Sequence, residues 1–200
     1  MSKKGEVFTN PVTGERCVVR VGSEDGDDPT YAVVDLHVEP GGAVVGEHVH
    51  DSVWEGFEVV TGQVGFRVDG QERIAGPGDR AEAPIGTPHD WWNAGDEPAQ
   101  VTVELRGDGE GFEQMIITLF GLAHEGKTDA KGRPGLLQLA VIAREFRPVI
   151  RFTKPPAWVQ AALFGPLAAL GRARGLRATY PHHRDLVVST ENSEAAARAG

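Results

Sequence analysis

The chain has 200 residues, of which 40% are hydrophobic, and this suits one ordinary domain with an extension or two small domains. Its formal net charge of −9 disfavours nucleic acid as a main partner, because phosphate binding needs clustered lysine and arginine. The single cysteine, Cys17, excludes an internal disulfide framework, and the N-terminus lacks the apolar core of a signal peptide, so we expect a cytoplasmic protein.

Short strands separated by turns are predicted over about residues 16 to 106. The run VTVELR, residues 101–106, alternates apolar and polar side chains as a half-buried strand does. Closely spaced short strands favour a β-sandwich or barrel over βαβ units. The predicted strands are Arg16–Val21, Tyr31–Val38, Val44–His50, Glu55–Val60, Val64–Val68, Arg80–Ala83 and Gln100–Arg106.

Helices are predicted after Gly111, which divides the chain into a β body, residues 1–110, and a helical extension, residues 111–200. A second helix is predicted over 135–146 and a third over 155–175, with a break at Gly165 and Pro166. The polar last stretch, residues 189–200, is expected to fray. The first helix has apolar residues at i, i+3, i+4, i+7 and i+8, namely Phe112, Met115, Ile116, Leu119 and Phe120.

Charge is divided unevenly between these two parts. Residues 1–110 contain 22 Asp and Glu against 8 Lys and Arg, whereas residues 111–200 contain 7 against 12. The basic extension could pack on the acidic body, on a neighbouring subunit or on an anionic surface, and charge alone does not choose among them.

The stretch HVHDSVWE, residues 48–55, points to a metal site. His48 and His50 lie on one face of a strand because side chains alternate, and Glu55 opens the next strand with an anionic oxygen. In GDRAEAPIGTPHDWWN, residues 78–93, a Pro-Gly turn delivers His89 onto a returning strand. These four ligands suit one divalent transition metal ion (Fe, Mn, Ni, Co, Cu or Zn) with up to two open positions.

The two stretches resemble the two sequence motifs of the cupin superfamily. The first motif is filled by Gly42, His48, His50, Glu55 and Gly62, and the second by Gly78, Pro84, Gly86, His89 and Asn93. The resemblance implies a mainly β fold, a double-stranded β-helix or jelly-roll barrel with a C-terminal α-helical extension. It also implies a metal held by His48, His50, Glu55 and His89.

Strand parity predicts the surroundings of this site. Val44, Phe57, Val59 and Trp91 are expected to point inward and to line an apolar, aromatic substrate pocket. Parity places Glu58 and Trp92 outward, so no catalytic acid or base is identified beside the ligands. The adjacent pair His182 and His183 is expected to be a poor chelate, because neighbouring side chains on a strand diverge.

Three functions are open at this point. The first is a metal-dependent enzyme that acts on a small apolar or aromatic molecule, with dioxygenase-type oxidoreductase chemistry as the natural subtype. The second is a non-enzymatic binder or sensor of a small molecule. The third is a metal-dependent isomerase, which would need a proton-transfer residue in the pocket.

The helical extension is expected to cover the outer face of the barrel or to build a homodimer. The alternative is peripheral contact with an anionic membrane through apolar residues of the third helix and the arginines that follow it. The apolar residues concerned are Trp158, Leu163, Phe164 and Leu167.

Overall fold

The computed structural model describes residues 2–26, 28–42 and 46–190 of the chain. Strands dominate the first half and helices the second. The strands are β1 (Glu6–Thr9), β2 (Arg16–Val21), β3 (Tyr31–Val38), β4 (His48–Val49), β5 (Trp54–Thr61), β6 (Val64–Val68), β7 (Gln71–Ala75), β8 (Arg80–Ala83), β9 (His89–Asn93), β10 (Ala99–Arg106), β11 (Arg151–Phe152) and β12 (Val188–Ser189). The helices are α1 (Gly109–His124), α2 (Leu136–Glu145), α3 (Ala157–Ala173) and a 3-10 helix (Pro181–Leu186).

The strands form two antiparallel sheets that enclose the core as a jelly roll. The large sheet has the order β12-β1-β2-β3-β10-β5-β8, and the small sheet has the order β11-β4-β9-β6-β7. In the large sheet Leu105 lies opposite both Ala32 and Glu55, and Val101 lies opposite both Leu36 and Val59. Because strand side chains alternate, Glu55, Val59 and Leu36 therefore share the inner face of this sheet.

The predicted strands agree with the structure wherever apolar residues alternate. Arg16–Val21, Tyr31–Val38, Val64–Val68 and Arg80–Ala83 have the predicted bounds, and β5 and β10 differ by one residue at their ends. Of the predicted strand 44–50, residues 46–50 are described and only His48–Val49 pair. β7 was not predicted, since four of its five residues are exposed and show no apolar alternation.

The three predicted helices are present, but the break at Gly165 and Pro166 was wrong. Helix α3 continues through Pro166. A proline removes one backbone donor, and here Phe164 and Leu167 on either side pack against α2 and keep the two halves in line. Of the stretch predicted to fray, residues 191–200 lie outside the described residues. No helix in the described ranges is long and apolar enough to cross a membrane.

The C-terminal half completes the β body instead of standing apart from it. Strand β11 extends the small sheet beside β4, and β12 extends the large sheet beside β1. Phe112 and Met115 of α1 belong to the same buried core as Val34 and Phe57 of the inner sheet face. Helix α1 therefore packs into the core that the inner face of the large sheet also lines.

Candidate metal centre

Two strands of the small sheet bring the three histidines together. In the pairing of β4 with β9, His48 lies directly opposite His89. The backbone N–H of Gly86, in the turn before β9, donates to the carbonyl of His50 over 2.9 Å. Gly86 has a φ of 82°, a left-handed conformation that glycine adopts without strain. The turn predicted from Pro84 and Gly86 therefore holds the two histidine-bearing segments in register.

Glu55 reaches the same point from the large sheet. Its Oε2 lies 2.9 Å from Nε2 of His50 and 2.9 Å from Nε2 of His89. One ligand atom from each of His48, His50, Glu55 and His89 lies within 4.8 Å of every other. Each of the four residues is at most 4% exposed. The structure thus brings all four predicted ligands together inside the barrel.

Backbone carbonyls orient the three imidazoles. Nδ1 of His48 lies 2.7 Å from the carbonyl of Gly46, and Nδ1 of His89 lies 2.9 Å from that of Thr87. Nδ1 of His50 contacts the carbonyl of Val149. A carbonyl only accepts hydrogen bonds, so each Nδ1 carries the proton and each neutral ring presents its Nε2 lone pair to the centre.

This arrangement needs a cation. In neutral rings, the Nε2 lone pairs of His50 and His89 would face the lone pairs of the Glu55 carboxylate at 2.9 Å, which is repulsive. Either a proton on Nε2 or a metal ion removes the conflict. Three imidazole nitrogens and one carboxylate oxygen are a donor set for Zn, Fe, Mn, Co, Ni or Cu, so the residues fit a divalent transition metal.

The electrostatics of the cluster agree with this fit. Burial, together with the neighbouring His89, lowers the pKa of His48 to about 3, so this ring is neutral at ordinary pH. Burial also disfavours the charged form of His50, but the contact with Glu55 outweighs it and raises the pKa of His50. The pKa of Glu55 is lowered despite its burial, because His50 and His89 donate hydrogen bonds to its carboxylate when their Nε2 atoms carry protons.

The predicted pocket residues pack next to the ligands. The ring of Phe57 lies 6.2 Å from the rings of both His89 and Trp91. Phe57, Val59 and Trp91 are at most 4% exposed and belong to the barrel core, as parity predicted. Val44 lies outside the described residues. That these residues line a substrate pocket stays a prediction.

The sequence did not reveal that residues of the C-terminal half contact the ligand His50. Phe112 of α1 places its ring 6.4 Å from that of His50, and Val149 orients His50. A cavity of about 310 Å³, within the usual range for small-molecule sites, lies between the barrel and the helical half. None of the four ligands lines it, and it is linked to the centre through Phe152, whose backbone pairs with His48. It is lined by the inner-face residues Leu36 and Val38 together with Met115, Leu119, Ile142, Ile150 and others from the helical half. No local pattern links these residues to the histidines.

Residues flanking the ligands anchor the C-terminal half. Oε1 of Glu47 accepts a hydrogen bond from Thr153 over 2.6 Å, and Asp51 pairs with Arg151 at 3.1 Å. Asn93 donates to the carbonyls of Val38 and Glu97 and so satisfies backbone groups. Outward parity is confirmed for Glu58, which pairs with Arg80 at the surface.

That His182 and His183 are a poor chelate stays a prediction. They lie in a 3-10 helix and not on a strand, and both rings approach Glu125. The two remaining histidines make other contacts. His124 lies 3.0 Å from the carbonyl of Thr9, and His37 lies 3.5 Å from Arg16.

Comparison with known proteins agrees with the fold and the motifs. The Cupin domain family model matches residues 34–104, which include all four clustered ligands. No curated protein shows significant similarity to the chain.

Similar solved structures include a predicted oxalate decarboxylase from Thermotoga maritima (18% identity, TM-score 0.43), which aligns over 46% of this chain and 80% of its own. KdgF from Halomonas sp. aligns over 46% and 79% (19% identity, TM-score 0.40). TT1209 from Thermus thermophilus aligns over 38% and 72% (30% identity, TM-score 0.37). The matched family model, with both motifs in place, shows that residues 34–104 of the chain form a cupin domain.

Proposed function

We propose that His48, His50, Glu55 and His89 hold one divalent transition metal ion, and that the protein binds a small apolar or aromatic molecule in the cavity between the barrel and the helical half. One observation carries the proposal. Three buried imidazoles, each held by a carbonyl on Nδ1, surround one buried carboxylate, and Nε2 of His50 and of His89 lies 2.9 Å from its Oε2. A ligand shell oriented in this way is typical of metal centres.

Some residues of the chain would hold the metal ion, and others would surround the bound molecule. The four ligands leave coordination positions open, and the bound metal would supply Lewis-acid or redox chemistry to an oxygen-bearing group. Phe112 of α1 places its ring beside His50, and Met115 and Ile150 line the cavity. The apolar part of the cavity lining suits an apolar or aromatic molecule, and Lys131 and Arg133 in the same lining would accept an anionic group on it.

Dioxygenase-type chemistry is the enzymatic form of this proposal. Such chemistry asks little of the protein beyond metal ligands and a dry pocket, and the buried His and Glu cluster supports this reading. The alternative from a different class is a non-enzymatic binder or sensor, in which the same cavity changes its contacts with α1 on binding. The dioxygenase and the binder would use the same residues to bind the molecule, and only the dioxygenase would convert it to a product.

A metal-dependent isomerase is favoured by one structural feature that the sequence did not show. Glu15 lines the polar end of the cavity and is 8% exposed. Burial raises the pKa of Glu15, even though Thr13 donates a 2.8 Å hydrogen bond to its carboxylate. A buried carboxyl with a raised pKa is suited to proton transfer, which gives this third function a candidate residue.

Metal analysis with a matched variant tests the proposal. The double variant His50→Gln/His89→Gln should lose about one equivalent of metal, because two of four ligands are gone. The control His37→Gln removes a histidine outside the cluster and should keep the wild-type metal content. Unchanged metal content in the double variant would overturn the proposal.

Ligand and oxygen assays then separate the three functions. Oxygen uptake with catechols or flavonols that disappears in the double variant supports the dioxygenase. Thermal stabilisation by such compounds without turnover supports the binder. Solvent deuterium exchange into a ligand that depends on Glu15, tested with Glu15→Gln, supports the isomerase.

Self-association and location also remain proposals. Helix α3 exposes Trp158, Leu163 and Leu170, with Trp158 75% exposed, and we infer that this surface contributes to a homodimer. Phe164 and Leu167 pack inward on α2, so only part of the stripe suggested for membrane contact is exposed. Analytical ultracentrifugation decides on the dimer, and co-sedimentation with anionic vesicles decides on the membrane. A cytoplasmic location is likewise a proposal, which fractionation of cells tests.

A further inference from the structure

A second cluster of potential metal ligands lies far from the first in sequence, where the 3-10 helix meets the C-terminal end of α1. Nε2 of His182 lies 2.7 Å from Oε1 of Glu125, and Nε2 of His183 lies 3.4 Å from Oε2 of the same carboxylate. The three ligand atoms lie within 4.8 Å of one another. No residue is shared with the barrel cluster.

His183 is the unusual member of this group. It is 1% exposed, and neither ring nitrogen has a described partner in good hydrogen-bonding geometry, since Oε2 of Glu125 stands 3.4 Å from Nε2. A buried imidazole without a well-formed hydrogen bond is costly, and such groups mark sites that an ion or water completes.

The fold seats this ring by leaving room for it on α1. A Cβ on Gly121 would lie 2.1 Å from Cγ of His183, so only glycine allows the ring to rest on the helix here. Glu125 follows at the end of the helix, one turn beyond Gly121. Helix α1 thus provides both the seat for one imidazole and the carboxylate that faces it.

We propose that Glu125, His182 and His183 form a second metal site, suited to Zn²⁺, that fastens the 3-10 helix to α1. Two imidazole nitrogens and a carboxylate are a usual zinc donor set, at ligand distances of about 2.0–2.2 Å. The His182 side chain is 57% exposed, so it can adjust toward the ion and leaves a solvent-facing position for water. β12 follows the 3-10 helix and pairs with β1, so the ion would also tie down the end of the large sheet.

Lys127 balances the negative charge of Glu125 in the metal-free structure. Its Nζ lies 3.0 Å from Oε2 of Glu125, and its side chain is 57% exposed. Metal binding requires this ammonium to swing into solvent. The variant Lys127→Ala should therefore bind Zn²⁺ more tightly, by up to about fivefold, which corresponds to the strength of one exposed ion pair.

Zinc titration of the metal-stripped full chain tests the site, with Co²⁺ absorption as a spectroscopic readout. His182→Ala and Glu125→Gln should each lose one equivalent of Zn²⁺, or weaken it by more than the roughly 10- to 100-fold that loss of an outer-shell partner costs. His37→Gln is the control and should bind as the wild type does. His182 is exposed, so its replacement should leave the fold intact.

The outcomes separate this site from the barrel centre. An equivalent lost in His182→Ala and Glu125→Gln but kept in His50→Gln/His89→Gln supports the second site, whatever happens at the first. If zinc binding is the same in His182→Ala as in the wild type, the cluster is only an ion-pair network and the inference is wrong. Absence of any zinc binding by the wild type at millimolar Zn²⁺ would overturn the second site.

Discussion

Each imidazole of the barrel centre is oriented by a backbone carbonyl. Two of these carbonyls are close in sequence to the histidine they orient, and the third is far from it. Gly46 and Thr87 each stand two residues before the histidine they orient. Val149 stands 99 residues after His50. The chain supplies the first two contacts locally through its turns, whereas the third exists only because the C-terminal half folds back onto β4.

The raised pKa of His50 predicts how metal affinity depends on pH. Below that pKa, which stands above the ordinary value of 6.5, a proton occupies the nitrogen that must bind the metal. Affinity should therefore rise with pH, by about tenfold per unit, and level off above the pKa. Co²⁺ titrations from about pH 6 to about pH 8 measure this rise.

The variant His182→Ala is the right background for these titrations, because it removes the second proposed site. In that background the added change His50→Gln should abolish the rise. A flat affinity over this range in the His182→Ala protein would show that no proton leaves His50 when the metal binds.

Helix α1 connects the two clusters through opposite ends of a single element. Phe112 near its start faces the ring of His50, and Gly121 and Glu125 near its end face the 3-10 helix. The helix is capped by Asp108, whose side chain accepts from the N–H of Gly111 over 2.9 Å. Its apolar spacing was enough to predict the helix, but not which groups it would meet.

Replacing Gly121 by alanine should destabilise the protein, against the usual trend for helices. Alanine in place of a helical glycine ordinarily stabilises by about 0.4–1 kcal/mol. At Gly121 the added Cβ would displace His183, and overpacking of this kind costs about 1–3 kcal/mol. Urea denaturation gives the change in the free energy of unfolding.

Gly165 in α3 is the matched control, because a Cβ there would meet nothing within 4 Å. Gly165→Ala should show the ordinary stabilisation. If both variants stabilise the protein equally, the close seat of His183 on Gly121 is not as the structure describes it.

The whole molecule is joined by contacts between its two halves. Arg151 pairs with Asp51 at 3.1 Å, and Arg184 pairs with Glu6 at 2.7 Å. These pairs answer in part the question left open by the uneven charge, since basic residues of the second half lie on acidic residues of the first. One buried core contains residues of both halves.

A shared core predicts a single cooperative unfolding transition. Trp54, Trp91 and Trp92 lie in the β body and Trp158 lies in α3, so the fluorescence of Trp158→Phe reports on the body alone. Its urea transition should coincide with the transition seen by far-ultraviolet circular dichroism, which is dominated by the helices. Two separate midpoints would mean that the extension unfolds independently.

The sequence by itself determined the ligand set and most of the strands. Alternation fixes which side chains share a face, and glycine and proline fix turns, so His48, His50, Glu55 and His89 were identifiable from their spacing. Only the tertiary structure decided what stands opposite them. Phe112, Val149 and the cavity lining reach the centre through long-range packing, and Glu125 meets His182 and His183 across 57 residues. Local patterns encode direction and period, whereas contacts between distant segments depend on how whole elements pack.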